Sequence, residues 1–247
     1  MQNYKIYHSP PPAPAPTAMG FPNLRGEWKV GSEAVRLGLS SPQLIRAPRG
    51  HGEPVLLLPG FKAPETSMYP LRRLLRLKGY DAHTWGLGVN QGDVQSYVDA
   101  LKPRIKELSE SKGSAVALIG WSLGGVVARE IAREIPQHVS TIVTYGTPVI
   151  GGPSFTVGAA SYSAADREHI NRLIRERNAA NPIQTPLAIV FTRGDTIVSW
   201  PACIDRFSPN ATHYEVDATH FSMGIDPTVW GIVLDRLQQA SSRSPGP

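Results

Sequence analysis

From Pro54 onward the chain alternates short, continuous apolar runs with longer amphipathic stretches. Pro54-Val55-Leu56-Leu57-Leu58-Pro59-Gly60 reads as a buried strand. Further strands are predicted at Tyr80–Trp85, Ser114–Gly120, Val139–Tyr145, Pro186–Phe191 and His213–Val216. Between and after them, helical periodicity covers Met68–Lys78, Val94–Ser111, Val126–Ile135, Ala164–Arg177 and Pro227–Gln239. Strands and helices in alternation, joined by right-handed crossovers, predict an α/β fold with a mostly parallel central sheet flanked by helices. Residues 146–184 interrupt the alternation with a Gly/Pro-rich loop and one helix, and read as a short cap-like insertion.

The two ends differ from this body. Residues 1–25 contain Ser9-Pro10-Pro11-Pro12-Ala13-Pro14-Ala15-Pro16, which favours extended polyproline conformation over packing. They are expected to form a flexible arm. The spacing of Trp28, Val30, Val35, Leu37, Leu39, Leu44 and Ile45 suggests one or two short helices docked on the body. Residues 26–240 are read as a single domain and 241–247 as a flexible tail; 247 residues suit one α/β domain with one core.

Composition narrows the partners. The net charge is +5, but the basic residues are spread over several helices, which argues for solubility and against a nucleic-acid footprint. No apolar run approaches membrane-spanning length, and the Pro/Ala stretch is no signal-peptide core, so a cytoplasmic protein without an integral membrane segment is expected. A single cysteine, Cys203, leaves no internal disulfide and no Cys-rich metal site. No His, Asp and Glu cluster has metal-ligand spacing, so neither metal nor cofactor is expected. Trp85-Gly86-Leu87-Gly88-Val89-Asn90-Gln91 lacks the third glycine of a dinucleotide-binding turn and reads as a loop at the edge of a site.

The chemistry centres on Gly120-Trp121-Ser122-Leu123-Gly124-Gly125, which joins a buried strand to a helix. A Gly-x-Ser-x-Gly turn in that context is a nucleophile elbow, with the helix N-terminus aimed at the serine hydroxyl. The plainer alternative is a serine capping the helix. A serine needs a histidine to take its proton and a carboxylate to orient that histidine. Of seven histidines, His220 alone follows the C-terminal end of a strand, where sites in open parallel sheets gather. Asp195 follows the strand Pro186–Phe191; Asp217, close to His220 in sequence, is a rival, and Asp205 a weaker one. The order Ser122, Asp195, His220 is the one expected for an elbow serine in such a sheet. Backbone N–H groups of Leu123 and of Phe61, in Pro59-Gly60-Phe61-Lys62, are the candidate oxyanion donors.

Pro59-Gly60-Phe61, Gly120–Gly125, Tyr145-Gly146-Thr147-Pro148, Arg193-Gly194-Asp195-Thr196-Ile197-Val198 and Thr219-His220 occur in that order. Together they resemble the lipase/esterase-type serine hydrolases of the α/β-hydrolase superfamily, bacterial lipase-like hydrolases above all. The resemblance runs from about Pro48 to Gln239. It implies the α/β-hydrolase fold, a Ser122–Asp195–His220 triad, and Phe61 and Leu123 as oxyanion donors. Pro59-Gly60 replaces the His-Gly pair of many lipases, which with the missing second cysteine sets this chain apart from exported fat-digesting enzymes. The expected activity is hydrolysis of small-molecule esters of short to medium acyl length, in a pocket drawn from Trp121, Phe155, Tyr162 and Val198. An acyltransferase or thioesterase with the same triad, or a catalytically silent binding protein, stays open as an alternative.

Overall fold

The computed structural model describes residues 4–20, 44 and 47–242. The predicted alternation is present. After a first strand β1 (Tyr4–Tyr7) come β2 (Pro54–Leu58), α1 (Tyr69–Leu77), β3 (Asp81–Thr84), α2 (Val94–Lys112), β4 (Val116–Trp121) and α3 (Leu123–Glu134). They are followed by β5 (Val139–Tyr145), α4 (Ala164–Ala180), β6 (Leu187–Phe191), β7 (Ala211–Val216) and α5 (Pro227–Ser241). The seven strands form one sheet in the order β1-β7-β6-β5-β4-β2-β3. All neighbours pair in parallel except β1, which is antiparallel to β7.

Alternate residues of the buried strands feed two cores. Val55 and Leu57 of β2 and Ala117 and Ile119 of β4 face Leu71 and Leu75 of α1 and Val233 and Leu237 of α5. Leu56, Leu58, Val116 and Leu118 face Val98, Leu101 and Ile105 of α2 and Val127 and Ile131 of α3. The continuous apolar runs in the sequence reflect this two-sided burial. Among the described residues no helix is long and apolar enough to cross a membrane.

The start of the chain departs from expectation. The sequence reads residues 1–25 as a flexible arm, yet Tyr4–Tyr7 form the edge strand of the sheet, in register Tyr4↔Val216 to Tyr7↔His213. The reason lies in the side chains ahead of the prolines. Tyr4 packs against Tyr214 at 5.8 Å between ring centroids, and the Tyr7 hydroxyl donates to Glu215 Oε2 at 2.8 Å. Aromatic and β-branched residues suit such an edge. The following proline-rich segment lies on the body, with Pro11 buried. The helices expected over 26–47 fall almost wholly outside the described residues; of that stretch, Leu44 is buried in the core and Ala47 packs against it. The tail expected over 241–247 lies outside the described residues beyond 242, while α5 runs to Ser241.

Between β4 and α3 the chain reverses through Ser122, whose φ of 51° and ψ of −120° fall where an L-residue is strained. Its side chain makes no capping hydrogen bond, so the helix-cap alternative does not hold. The flanking glycines are dictated by space. A Cβ on Gly124 would sit 2.2 Å from the Leu58 carbonyl oxygen of β2, and one on Gly120 would sit 2.4 Å from Gly125 Cα. The Ser122 N–H donates to Tyr145 O at 2.9 Å, and Thr147 Oγ1 donates to Ser122 O at 2.9 Å.

A buried polar cluster joins α3 to β7. Arg129 Nη2 meets Asp205 Oδ2 at 2.8 Å, and Asp205 also accepts from the N–H groups of Phe207 and Ser208 and from Ser208 Oγ. The Asp205 N–H donates to His213 Nε2 at 3.1 Å, which makes this nitrogen the unprotonated one. Burial holds His213 below the ordinary histidine value, at about 4; Arg129 and Arg206 act in the same direction and Asp205 opposes them.

Three predictions follow from these backbone and burial constraints. Ser122→Gly should raise the unfolding free energy by about 1 kcal/mol relative to Ser122→Ala, because glycine relieves the strain at φ 51°. Gly124→Ala should lower it by about 3 kcal/mol, and urea titration of the three variants reads both effects. For His213, the unfolded chain binds the proton more tightly than the folded one. Its contribution is therefore complete above the unfolded value of 6.5 and is lost as pH falls from there toward 4. Urea titrations at pH 7 and pH 4 should show His213→Gln losing about 2–3 kcal/mol less than wild type. Parallel pH curves for the two proteins would mean that His213 is protonated without cost to the fold.

Candidate active site

The candidate residues leave different strands at the same end of the sheet. Phe61 follows β2, Ser122 follows β4, Asp195 follows β6 and His220 follows β7. This is the carboxyl end of the parallel strands, where backbone loops converge and clefts open.

Asp195 and His220 are brought together. His220 Nδ1 lies 2.8 Å from Asp195 Oδ2, and both side chains are buried. The other carboxylate oxygen, Oδ1, accepts from the N–H groups of Ile197 at 2.9 Å and Val198 at 2.7 Å, so the loop's own backbone orients the acid. With Nδ1 committed to the carboxylate, Nε2 is the nitrogen left to exchange a proton. The ring clusters with Trp121 and Phe221, with centroids 5.9 Å and 5.7 Å away and the two aromatic rings 6.0 Å from each other. It closes against the turn that carries the serine: a side chain on Gly146, one residue past the Tyr145 carbonyl that holds Ser122, would meet His220 Nδ1 at 2.9 Å.

The candidate oxyanion donors are also free. Leu123 is the first residue of α3, so its N–H has no partner within the helix. Among the described residues neither the Leu123 nor the Phe61 N–H donates to a protein acceptor. The Phe61 loop is pinned on both sides: Lys62 N–H donates to Asn90 O at 2.7 Å and Ala63 N–H to Gly60 O at 3.1 Å. Phe61 itself is 55% exposed and Phe221 40%, which puts two aromatic side chains at the rim.

The rivals are placed elsewhere. Asp205 belongs to the Arg129 cluster, and Asp217 is exposed. His213 serves Asp205, His83 pairs with Asp81 at 3.0 Å, and His169 contacts Arg172 on the surface of α4. Burial and the nearby Asp195 push the Cys203 thiol well up, which keeps it protonated. Among the described residues no group of three or more His, Cys, Asp or Glu side chains gathers as a metal site would.

Of the pocket candidates, Trp121 flanks His220, and Val198 sits behind the acid with its N–H on Asp195. Phe155 reaches the acid loop through its backbone, its carbonyl accepting from the Ser199 N–H, while its ring lies against Gly151. Tyr162 is exposed on the insertion, whose helix α4 buries only Asn178 among its residues.

Three supporting residues carried no clear sequence signal. Buried Asn90 donates from Nδ2 to Pro59 O and accepts the Gly92 N–H, tying the glycine loop after β3 to the Phe61 loop. Thr192 Oγ1 donates to Ala218 O at 2.8 Å, linking the acid loop to the histidine loop. Ser222 Oγ accepts the Thr219 N–H at 2.8 Å and closes the turn through His220. Thr147 differs in that it stands in a segment, Tyr145–Pro148, that the sequence already marked.

Comparison with known proteins agrees with this architecture. Residues 87–187 match the model of the PGAP1-like alpha/beta domain, a segment that includes Ser122 and ends before Asp195 and His220. Over 109 residues the chain is 32% identical to a pimeloyl-[acyl-carrier protein] methyl ester esterase of Shewanella sp. (strain MR-7). That match covers 42% of this chain and only 38% of the relative's length. Among solved structures, one from a study of two metagenome-derived lipolytic enzymes, LipS and LipT, superposes with a TM-score of 0.60 at 16% identity, covering 80% of this chain and 96% of the other. Mouse alpha/beta hydrolase domain-containing protein 10 gives 0.55 at 13% identity, covering 81% and 94%. Strand order and these structural likenesses show that the chain has the fold of the α/β hydrolases.

Proposed function

We propose that the chain is a serine hydrolase of carboxylic esters, with Ser122 as nucleophile, His220 as general base and acid, and Asp195 as the orienting carboxylate. The observation that carries this reading is the buried 2.8 Å contact between His220 Nδ1 and Asp195 Oδ2 beside a strained serine turn. His220 Nε2 takes the proton from Ser122 Oγ as the oxygen attacks the ester carbonyl carbon. The carbonyl oxygen, now negative, is held by the N–H groups of Phe61 and Leu123, each worth typically about 3 kcal/mol in such sites. The imidazolium then returns the proton to the departing alcohol. Water, deprotonated by the same nitrogen, opens the acyl-enzyme and releases the acid.

The substrate class rests on the rim and the insertion. Phe61, Phe221 and Trp121 offer apolar surface for an acyl chain, and α4 stands on the surface instead of filling the cleft. An exposed aromatic rim of this kind favours short to medium acyl esters. The relative named as an esterase of a methyl ester makes methyl esters a natural second substrate series.

Initial rates on p-nitrophenyl esters from acetate to palmitate test the proposal. Wild type should show an optimum at short or medium length. Ser122→Ala should lose about 10⁴-fold or more of kcat and Asp195→Asn about 10³–10⁴-fold. A fluorophosphonate should label the folded wild-type protein at Ser122 alone. Failure to label would sink the serine mechanism and leave a binding protein on this fold. Labelling without hydrolysis of any ester would move the search to thioesters or acyl transfer.

A further inference from the structure

The loop that carries Asp195 is held from two sides by segments remote in sequence. On one side stands the insertion: Thr156 bridges Val198, Val157 N–H donates to Ile197 O, and Ser199 N–H donates to Phe155 O. On the other side runs the start of the chain. Tyr7, the last residue of β1, and Ala13 beyond it pack on the apolar cluster of Phe191, Val198, Cys203 and Ile204, together with Ile197 and Trp200. The Thr17 N–H reaches Ser199 Oγ at 3.3 Å, and Ala13 O accepts from Arg206 at 3.5 Å.

From Ala13 onward the burial pattern of this segment has a regular period, out of phase with buried Pro11. Ala13, Pro16 and Met19 are half-buried, whereas Pro12, Pro14, Ala15, Thr17 and Ala18 are exposed. A spacing of three is the repeat of an extended polyproline ribbon, which presents every third residue to one side. The prolines therefore serve to lay a stiff ribbon on the protein at little entropic cost, since their φ is already fixed.

What the ribbon covers matters for the acid. Ile197 and Val198, which share the ribbon's apolar cluster, are the two residues whose backbone N–H groups fix Asp195 Oδ1. The ribbon thus holds the loop through the Thr17–Ser199 hydrogen bond and the apolar cluster that includes Val198, and from Val198 N–H the contacts continue to Asp195 and from Asp195 to His220. We propose that residues 4–19 are a strap that positions the triad acid, acting through the Ile197–Ser199 backbone. The strap touches neither Ser122 nor His220, so its residues are positioning residues. The inference rests on the proposed catalytic role of Asp195.

The test uses the full chain with one charge moved by two residues. Ala13→Asp places a carboxylate against the apolar cluster and lifts the ribbon there, while Ala15→Asp places it on the exposed side. Loosening the acid should lower kcat about tenfold in Ala13→Asp. KM should change by less than about twofold, because substrate contacts are untouched. Ala15→Asp should match wild type in both. The second readout is independent of turnover: the downfield proton resonance of His220 Nδ1–H, held by Asp195 in the buried contact, should broaden in Ala13→Asp alone. Ser199→Ala, which removes only the acceptor for Thr17, should give a smaller change in the same direction.

Equal kcat and equal resonances in the two aspartate variants would overturn the strap. A rise in KM at unchanged kcat would also overturn it, since the ribbon would then be shaping the substrate pocket. An inactive wild type whose resonance is still lost in Ala13→Asp would uphold the strap and refute the hydrolase reading. All comparisons are made well below the melting temperature of the least stable variant, so that unfolding does not enter.

Discussion

The strained turn at Ser122 is the constraint on which the rest of the site depends. A serine at φ 51° and ψ −120° persists only where its surroundings leave no alternative. Here β4 is paired on both sides, its last residue Trp121 in register with Tyr145 of β5, while the Gly124 Cα passes the Leu58 carbonyl of β2. The Tyr145 and Thr147 contacts then take up the Ser122 N–H and carbonyl. Sheet and helix together hold the turn, and the serine side chain is left free of structural duties.

The acid and the histidine are held differently. Neither lies on a regular element, so each depends on loop-to-loop hydrogen bonds. Thr192 ties the two loops to each other, Ser222 closes the turn at His220, and the Ile197 and Val198 amides aim the carboxylate. The acid loop is in turn sandwiched between the insertion and the ribbon from the start of the chain. Geometry of this kind is built from weak contacts, each worth about 1 kcal/mol. Its precision comes from their number, which is why remote segments enter the argument at all.

The Arg129–Asp205–His213 cluster shows how easily a titratable group can mislead. It contains an acid, a base and a histidine in contact, all buried. Yet His213 spends its acceptor nitrogen on a backbone N–H, and Asp205 is saturated by Arg129, Ser208 and two amides. The cluster joins α3 to the segment before β7 and belongs to the fold.

The sequence by itself determined the alternation of strands and helices, the elbow, and the strand ends from which Asp195 and His220 emerge. Those features are local: burial on both faces leaves continuous apolar runs, and a close backbone approach leaves glycines. Only the tertiary structure decided what crosses between loops. Tyr4–Tyr7 looked like part of a proline-rich arm because a four-residue edge strand has too short a pattern to announce itself; the partner residues of β7 give it its place. Asn90 and Thr192 are ordinary loop residues in the sequence, and their roles exist only because Pro59 and Ala218 present carbonyls to them. The pairing of Asp195 with His220, 25 residues apart, was a choice among several carboxylates until the fold brought one of them within 2.8 Å. Local patterns record which backbone a residue favours; long-range contacts are recorded nowhere in them, since they depend on where the whole chain closes.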